Sequence, residues 1–170
     1  MKLVIVSDIH GSAKWCREAL RVVEEVAPDK VVLLGDLLYH GPRNPLPDEY
    51  APAEVAAMLN GMAQHIVAVR GNCDAEVDQM MLEFPCMADY ALVMDGTRQL
   101  YCTHGHLHSP ESLPALPDGT AFLYGHFHVK RDEVVDGIRV FNPGSAALPK
   151  DGSHSVGIYA DGAFSFRILG

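Results

Sequence analysis

The chain has 170 residues, of which 48% are hydrophobic and 21% charged, a composition typical of one soluble globular domain spanning residues 1–170. Its formal net charge of -9, with only 13 Lys and Arg residues, argues against binding to duplex nucleic acid, because phosphate contacts need clustered cations. No apolar run approaches the roughly 20 residues that cross a bilayer, so no membrane partner is expected.

The beginning of the chain and its cysteines bear on the cellular compartment. Met1 and Lys2 are followed by only four apolar residues before Ser7, which is too short for the core of a signal peptide. The four cysteines show no Cys-x-x-Cys spacing, so neither a zinc knuckle nor a redox pair is indicated. We therefore expect reduced thiols in a cytoplasmic protein.

The first half of the chain alternates predicted strands and helices. Apolar runs of strand length cover residues 2–7, 30–35 and 65–69. Helical spacing predicts helices over about residues 12–26, 53–63 and 75–83. Ser12 is placed to cap the first of these helices. Residues 40–52 contain four prolines and are predicted to form an extended, ordered loop.

The second half is richer in short strands. Strands are predicted at residues 99–103 and 121–124, and the last 40 residues are predicted to form an antiparallel meander. Asp-Gly pairs at 95–96, 136–137 and 161–162 are flanked by apolar residues, which indicates hairpins. The predicted fold class is therefore α/β: a two-sheet β-sandwich flanked by helices, in four layers α/β/β/α.

Five of the predicted strands lead into a residue type that binds metal ions. These residues are Asp8, His10, Asp36, Asn72, His104, His126 and His128. Strands that stop together deliver their C-terminal residues to one edge of a sheet, where open α/β proteins bind ligands. Two Asp, one Asn and four His at one edge supply ligands for more than one ion. The sequence therefore predicts hydrolysis at a two-metal centre.

Spacing indicates which of these side chains act together. Asp8 and His10 are two residues apart, and residues i and i+2 of a strand project to the same side, so both are expected to reach one ion. His126 and His128 have the same spacing, although an imidazole pair can also divide between two neighbouring ions. Asp36 follows a glycine, which gives the backbone room to turn and lets the carboxylate bridge. Mixed oxygen and imidazole ligands suit Mn, Fe or Zn rather than calcium.

The motifs, taken together, resemble one known family. They are Asp8-x-His10, Gly35-Asp36, Gly71-Asn72, His104-Gly105 and Gly125-His126-x-His128, and they cover essentially the whole chain. This series resembles the calcineurin-like metallophosphoesterase superfamily. The short length and the forms GNCD, THGH and NPGS are most similar to its small bacterial and archaeal manganese-dependent phosphodiesterases. A relative of that branch serves in eukaryotes as a scaffold subunit of the retromer coat.

The resemblance implies a dinuclear phosphodiesterase with a defined set of ligands. One ion would be held by Asp8, His10, Asp36 and His128. The second would share Asp36 and be completed by Asn72, His104 and His126. A hydroxide that bridges the ions would attack the phosphorus of a small phosphodiester. The expected cofactors are two divalent ions, with Mn²⁺ preferred and Zn²⁺ or Fe as alternatives.

The residues after Asn72 depart from the superfamily pattern, which usually places a histidine near the leaving group. Cys73 stands there instead, so the expected imidazole acid is missing, and Cys73 is retained as a catalytic candidate beside Asn72, His104 and His106. His106 is expected to face the substrate phosphate. Asp74 has two interpretations, an acceptor for a ligand histidine ring or a helix N-cap.

Two further residues are candidates for the border of the cleft. Phe127 replaces a small residue in Gly-His-x-His and is expected to form a wall of the cleft. His40 lies in the proline-rich loop, and its sequence position leaves open whether it borders the cleft or not.

Two other functions are compatible with the same fold. A non-catalytic scaffold has no physical need for seven costly polar groups around one cleft. A phosphomonoesterase or nucleotidase would favour basic side chains that grip a terminal phosphate, and few lie near these motifs in the sequence. A homo-oligomer is expected, because apolar residues in short edge strands need cover.

Overall fold

Two five-stranded sheets form the centre of the molecule. The structure, a computed structural model, describes all of residues 1–170. The helices are α1 (Ala13–Val26), α2 (Pro52–Asn60) and α3 (Glu76–Met81). The strands are β1 (Lys2–Val6), β2 (Lys30–Leu33), β3 (Ile66–Ala68), β4 (Tyr90–Asp95), β5 (Arg98–Thr103), β6 (Ala121–Leu123), β7 (Lys130–Val135), β8 (Ile138–Pro143), β9 (Ser155–Ala160) and β10 (Ala163–Ile168). None of the helices is long and apolar enough to cross a membrane.

Each sheet combines parallel and antiparallel pairs. The first sheet has the order β10-β9-β1-β2-β3, in which β1, β2 and β3 are parallel. The second has the order β4-β5-β6-β8-β7, in which β5, β6 and β8 are parallel. The parallel strands of each sheet are neighbours, so the loops that follow them emerge at a common edge. This is the arrangement that a site built from strand ends requires.

The predicted two-sheet α/β fold is confirmed, and so are the three Asp-Gly hairpins. The predicted antiparallel meander over the last 40 residues is wrong. β8 pairs in parallel with β6 in the second sheet, whereas β9 pairs with β1 in the first. The segment between them, residues 144–154, is much longer than the two to five residues of a hairpin loop, so the chain can cross from one sheet to the other.

The first sheet is buried on both faces, and this explains its continuous apolar strands. Along β1, Leu3 and Ile5 face the second sheet, whereas Val4 and Val6 face the helices. Helix α1 begins after Ser12, whose hydroxyl accepts the Trp15 backbone N–H at 3.3 Å. The helix therefore starts where its sequence predicts.

The outer face of the second sheet is covered by a loop and not by helices. Tyr101, Phe122 and Val140 form a buried cluster there, against which Leu113 and Leu116 pack. These two leucines belong to the long connection between β5 and β6. The outermost layer on this side is therefore a loop, while the helices cover the first sheet.

We expect Gly157→Ala to lower the free energy of unfolding by about 1–3 kcal/mol through overpacking. Gly157 lies in β9 between the sheets, where an added Cβ would stand 2.5 Å from Phe141 Cε1 and 3.4 Å from Ile5 Cβ. Urea denaturation of both chains measures the change. Gly61→Ala is the control, because Gly61 has a helical φ of -57°. Equal stability of wild type and Gly157→Ala would contradict tight packing between the sheets.

Candidate metal centre

Both sheets contribute side chains to one shared edge. In the first sheet Asp8 and His10 follow β1, Asp36 follows β2 and Asn72 follows β3. In the second sheet His104 follows β5, and His126 and His128 follow β6. All seven predicted ligands therefore lie in loops beyond the carboxyl ends of parallel strands.

The backbone of these loops is strained. Nine non-glycine residues of the chain have positive φ, and five of them are candidate ligands: Asp8, His10, Asp36, His126 and His128, with φ from 48° to 66°. Such conformations cost about 1–3 kcal/mol each and persist only where the surrounding structure enforces them. The strand alternation predicted for Asp8 and His10 does not apply, because both lie in left-handed turns. Their side chains nonetheless meet at one point.

Two glycines let the loops approach each other. A Cβ on Gly71 would collide with the Asp36 carboxylate, and a Cβ on Gly125 would collide with the Ser7 hydroxyl. Neither position can accept a side chain without moving Asp36 or the β1 loop. The glycines that precede Asn72 and His126 therefore serve the close approach of backbone to carboxylate.

The two carboxylates are each fixed through one oxygen. Asp8 Oδ2 accepts hydrogen bonds from the Ser7 hydroxyl at 2.6 Å and from the His126 backbone N–H at 3.1 Å. Asp8 Oδ1 is buried without a hydrogen-bond partner. Asp36 Oδ1 accepts the Cys73 backbone N–H at 2.8 Å. Each carboxylate thus turns its other oxygen into the site.

The first cluster consists of Asp8, His10 and His128. His128 Nε2 lies 3.3 Å from Asp8 Oδ1 and 3.3 Å from His10 Nε2. His10 Nε2 also lies 3.7 Å from Asp8 Oδ1 and from Asp36 Oδ2. Ligand atoms about 2.1 Å from one ion stand roughly 3–3.5 Å apart, so the cluster fits a metal ion. The partnerless Asp8 Oδ1 supports this fit.

The second cluster shares Asp36. His104 Nε2 lies 3.4 Å from Asp36 Oδ2 and 3.1 Å from Asn72 Oδ1. Asp36 Oδ2 therefore stands between the ring nitrogen of His10 on one side and that of His104 on the other. A carboxylate oxygen in this position can contact two ions at once.

Three histidines have their ring orientation fixed by backbone carbonyl oxygens. The Nδ1–H groups of His10, His104 and His128 donate to the carbonyl oxygens of Tyr39 at 3.0 Å, Leu34 at 2.6 Å and Leu148 at 2.6 Å, respectively. A carbonyl oxygen can only accept, so Nδ1 carries the proton. Nε2 is thereby directed into the clusters, as in metal sites where an outer partner sets the tautomer.

The charges of the site are strongly coupled. Burial would raise the pKa of Asp8, but the neighbouring rings of His128, His104 and His10 hold that pKa below its ordinary value. Burial would lower the pKa of His104, but the carboxylates of Asp36 and Asp8 raise it to about 9. At neutral pH and without metal, His104 therefore carries a proton that a metal ion must displace.

Asp74 lies beneath the site and is 2% exposed. Its carboxylate accepts three backbone N–H groups, those of Asp36 and Leu37 at 2.8 Å and of Gly71 at 2.7 Å. Burial raises the pKa of Asp74 to about 6, against the lowering effect of these donors. Both interpretations from the sequence are wrong, because Asp74 neither orients a histidine nor caps α3, whose N-cap is Ala75. It ties the Asp36 loop to the Asn72 loop.

The remaining candidates lie around the clusters. The His126 ring stands beside that of His104, with 5.1 Å between centroids, and the His106 ring is 5.3 Å from that of His104. His106 Nδ1 is buried without a partner. Cys73 Sγ lies within 4.8 Å of ligand atoms of His10 and Asp36, and burial raises the pKa of the Cys73 thiol.

A cleft of about 650 Å³ opens onto the site. Phe127 lines it as predicted, whereas His40 packs between the rings of Tyr39 and Tyr50 and does not line it. Sequence reasoning missed Arg43 and Lys150, which also line the cleft. Arg43 belongs to the proline-rich loop of residues 40–52, and an ordered loop after a ligand-bearing strand is a sequence feature that could have indicated its position. No sequence feature near Lys150 indicates that it lines the cleft.

The whole architecture matches one family. The model of the calcineurin-like phosphoesterase superfamily domain matches residues 1–161. The chain belongs to this superfamily, as its motifs predict. The family acts with divalent metal ions, and the Asp and His clusters that such ions need are in place.

Individual relatives within the superfamily indicate the type of ester that is hydrolysed. The phosphodiesterase YfcE of Escherichia coli (strain K12) is 48% identical over 153 residues, which are 90% of this chain and 83% of YfcE. The solved structure of the phosphoesterase YfcE from E. coli has a TM-score of 0.95 at 46% identity, over 97% of this chain and 91% of that one. Vps29 from Entamoeba histolytica, at 18% identity with a TM-score of 0.63 and coverage of 99% and 98%, shares the fold. The predicted enzyme class, a metal-dependent phosphoric diester hydrolase, is confirmed.

We expect Asp74→Asn to lower the free energy of unfolding by about 2–4 kcal/mol, because an amide group turns a donor toward backbone N–H groups and leaves at least one without an acceptor. Urea denaturation of metal-free protein measures this loss. Asp161→Asn is the matched control in an exposed Asp-Gly turn, which tolerates Asn. A loss no larger than that of the control would show that Asp74 does not hold the two loops together.

Proposed function

We propose that the chain is a dinuclear phosphodiesterase that hydrolyses small phosphodiesters. The observation that carries the proposal is the position of Asp36 Oδ2, 3.7 Å from His10 Nε2 and 3.4 Å from His104 Nε2. A shared carboxylate oxygen between two ligand clusters is the arrangement expected for two ions about 3.5–4 Å apart. The 48% identity to a phosphodiesterase supports the choice of diesters.

The proposed ligand sets follow the two clusters. Asp8, His10 and His128 hold one ion, Asn72, His104 and His126 hold the other, and Asp36 joins both. When bound, the two ions supply positive charge for the phosphoryl oxygens and lower the pKa of a water toward neutrality. The carbonyl oxygens behind His10, His104 and His128 accept a hydrogen bond from Nδ1 of each ring, so that Nε2 is the nitrogen presented to an ion.

Other side chains act on the substrate directly. Arg43 and Lys150 line the cleft and attract an anionic ester toward the clusters. His106, with its partnerless Nδ1, faces the phosphate. Cys73 is a weak proton donor because its thiol titrates far above neutral pH, so leaving groups of low pKa depart fastest.

The preferred metal in this proposal is Mn²⁺. Mg²⁺ favours carboxylates, substrate phosphates and water over imidazole, whereas Mn²⁺, Fe²⁺ and Zn²⁺ accept mixed carboxylate and imidazole ligands. Four of the seven ligands proposed are histidines, and this proportion is the reason for the choice.

Phosphomonoester hydrolysis is the second candidate function. Arg43 and Lys150 in the cleft suit the dianion of a terminal phosphate, an argument that the sequence does not offer. A substrate panel therefore needs both monoesters and diesters. A pure scaffold function is disfavoured by the two clusters, whose buried carboxylates are costly without a function.

We also propose that the chain is one catalytic domain that acts in the cytoplasm as a homo-oligomer. Strand β4 lies at an edge of the second sheet. Its Tyr90, Leu92 and Met94 are 53%, 51% and 53% exposed. Exposed apolar residues on an edge strand are a common association surface.

Chelation is the test of the proposed function. We expect EDTA to abolish hydrolysis of bis(4-nitrophenyl) phosphate and Mn²⁺ to restore it better than Mg²⁺. The measurement is the initial rate after dialysis and reconstitution with each ion. Full activity in EDTA would refute a metal-dependent reaction, while equal recovery with Mg²⁺ would refute the preference for imidazole-binding ions.

We expect Asp36→Asn to lower kcat by more than about 100-fold, because Asp36 is proposed to contact both ions. Residues that only orient a metal ligand typically contribute roughly 10–100-fold. The variant should also bind fewer Mn²⁺ ions per chain, since the shared oxygen loses its charge. Equilibrium dialysis and rate measurements give both quantities. Asp161→Asn is the control, and two ions bound with normal activity in Asp36→Asn would exclude a bridging carboxylate at this position.

A further inference from the structure

A second pocket adjoins the metal cleft and, unlike the cleft, is lined mainly by apolar side chains. It measures about 280 Å³ and is mainly apolar. Its walls include Leu38, Tyr39, Tyr50, Pro52, Val77 and Met81. Asp78 is its one charged lining residue, and one of its oxygens already accepts the Ala75 backbone N–H at 2.6 Å.

Tyr39 and Cys73 line both the apolar pocket and the metal cleft. Cys73 Sγ lies within 4.8 Å of ligand atoms of His10 and Asp36. The apolar pocket therefore adjoins the part of the cleft that lies beside the clusters.

The cleft itself is lined mainly by polar side chains. Arg43, Asn44 and Lys150 line it, and Asp36 is the only acidic residue among its lining residues. A phosphate at the clusters thus adjoins both the apolar pocket and a cationic, hydrogen-bonding surface. Two unlike surfaces beside one phosphate match a substrate with two unlike substituents.

We propose that the substrate is an asymmetric phosphodiester, with an aromatic or apolar substituent that enters the pocket and a polar one that lies along Arg43, Asn44 and Lys150. The proposal rests on the phosphodiesterase function proposed above. The pocket is large enough, since an apolar cavity of about 150 Å³ already binds benzene. Tyr39 offers an aromatic edge and Met81 a flexible thioether, both of which favour aromatic ligands.

The chain offers a matched pair of variants. Met81 lines the pocket and is 46% exposed, whereas the adjacent Met80 does not line it and is 85% exposed. Met81→Gln and Met80→Gln replace the same side chain on the same helix by one of similar size. Only the first should change the pocket.

The rate experiment uses two esters with the same leaving group, phenyl 4-nitrophenyl phosphate and methyl 4-nitrophenyl phosphate, on Mn²⁺-loaded protein. We expect kcat/KM of wild type to favour the phenyl ester by about tenfold or more. Met81→Gln should reduce this ratio by about threefold or more, because apolar contact is lost, while Met80→Gln should keep it. A ratio near one in wild type, or an equal change in both variants, would overturn the proposal.

The binding experiment does not depend on turnover. Zn²⁺-loaded protein with ¹³C-methyl methionine is titrated with phenylphosphonate or methylphosphonate, neither of which it can hydrolyse. We expect phenylphosphonate to shift the Met81 methyl signal and not that of Met80, and methylphosphonate to shift neither. The Met81 signal is identified by its loss in Met81→Gln. No shift of Met81 with phenylphosphonate at saturation would overturn the proposal.

The two readouts separate this proposal from the proposed function. If wild type cleaves neither ester but phenylphosphonate shifts Met81, the pocket stands and the phosphodiesterase function fails. If it cleaves both esters equally and Met81 does not shift, the function stands and the pocket fails. A lower molecular mass of both glutamine variants in light scattering would assign this face to a second copy of the chain and overturn the proposal.

Discussion

The structure depends on the burial of two negative charges at one edge. Asp8 and Asp36 are 0% and 2% exposed; burial and the charge of Asp8 would raise the pKa of Asp36, but the His104 ring holds that pKa below its ordinary value. Carboxylates are buried together only where positive charge and hydrogen bonds compensate them. Here backbone and hydroxyl donors satisfy one oxygen of each carboxylate, and imidazole rings surround the other. Without metal, the compensating charge is a proton, chiefly on His104.

This demand explains where the backbone strain lies. Five of the nine non-glycine residues with positive φ are candidate ligands, and the strain is held by contacts outside the clusters. Asp74 binds the N–H groups of two loops, and Ser145 Oγ donates to the Asp8 carbonyl at 2.9 Å. Strained residues of this kind persist where the surrounding structure over-determines them. These hydrogen bonds therefore offset the free energy of the backbone strain, and they hold the ligand atoms at their spacing independently of a bound ion.

The sequence predicts the ligand types, their order and the two-sheet fold, because strand length, glycine placement and residue chemistry are local properties. It does not predict the left-handed turns at Asp8 and His10, since these arise from contacts with β2 and β8 loops far along the chain. The role of Asp74 is not predictable from the sequence for the same reason, because two of its three backbone donors lie 37 and 38 positions away. Lys150 enters the cleft only because the chain changes sheets between β8 and β9.

The division of ligands between the sheets has a further consequence. The first sheet supplies the carboxylates, the amide and His10, and the second supplies His104, His126 and His128. The His104 ring donates across the sandwich to the Leu34 carbonyl oxygen, so the relative position of the sheets sets the spacing of the clusters. The packing of Phe141 on Gly157 thus helps to set the relative position of the two sheets, on which the spacing of the ligand atoms depends. A change in the packing between the sheets is therefore expected to change metal affinity as well as stability.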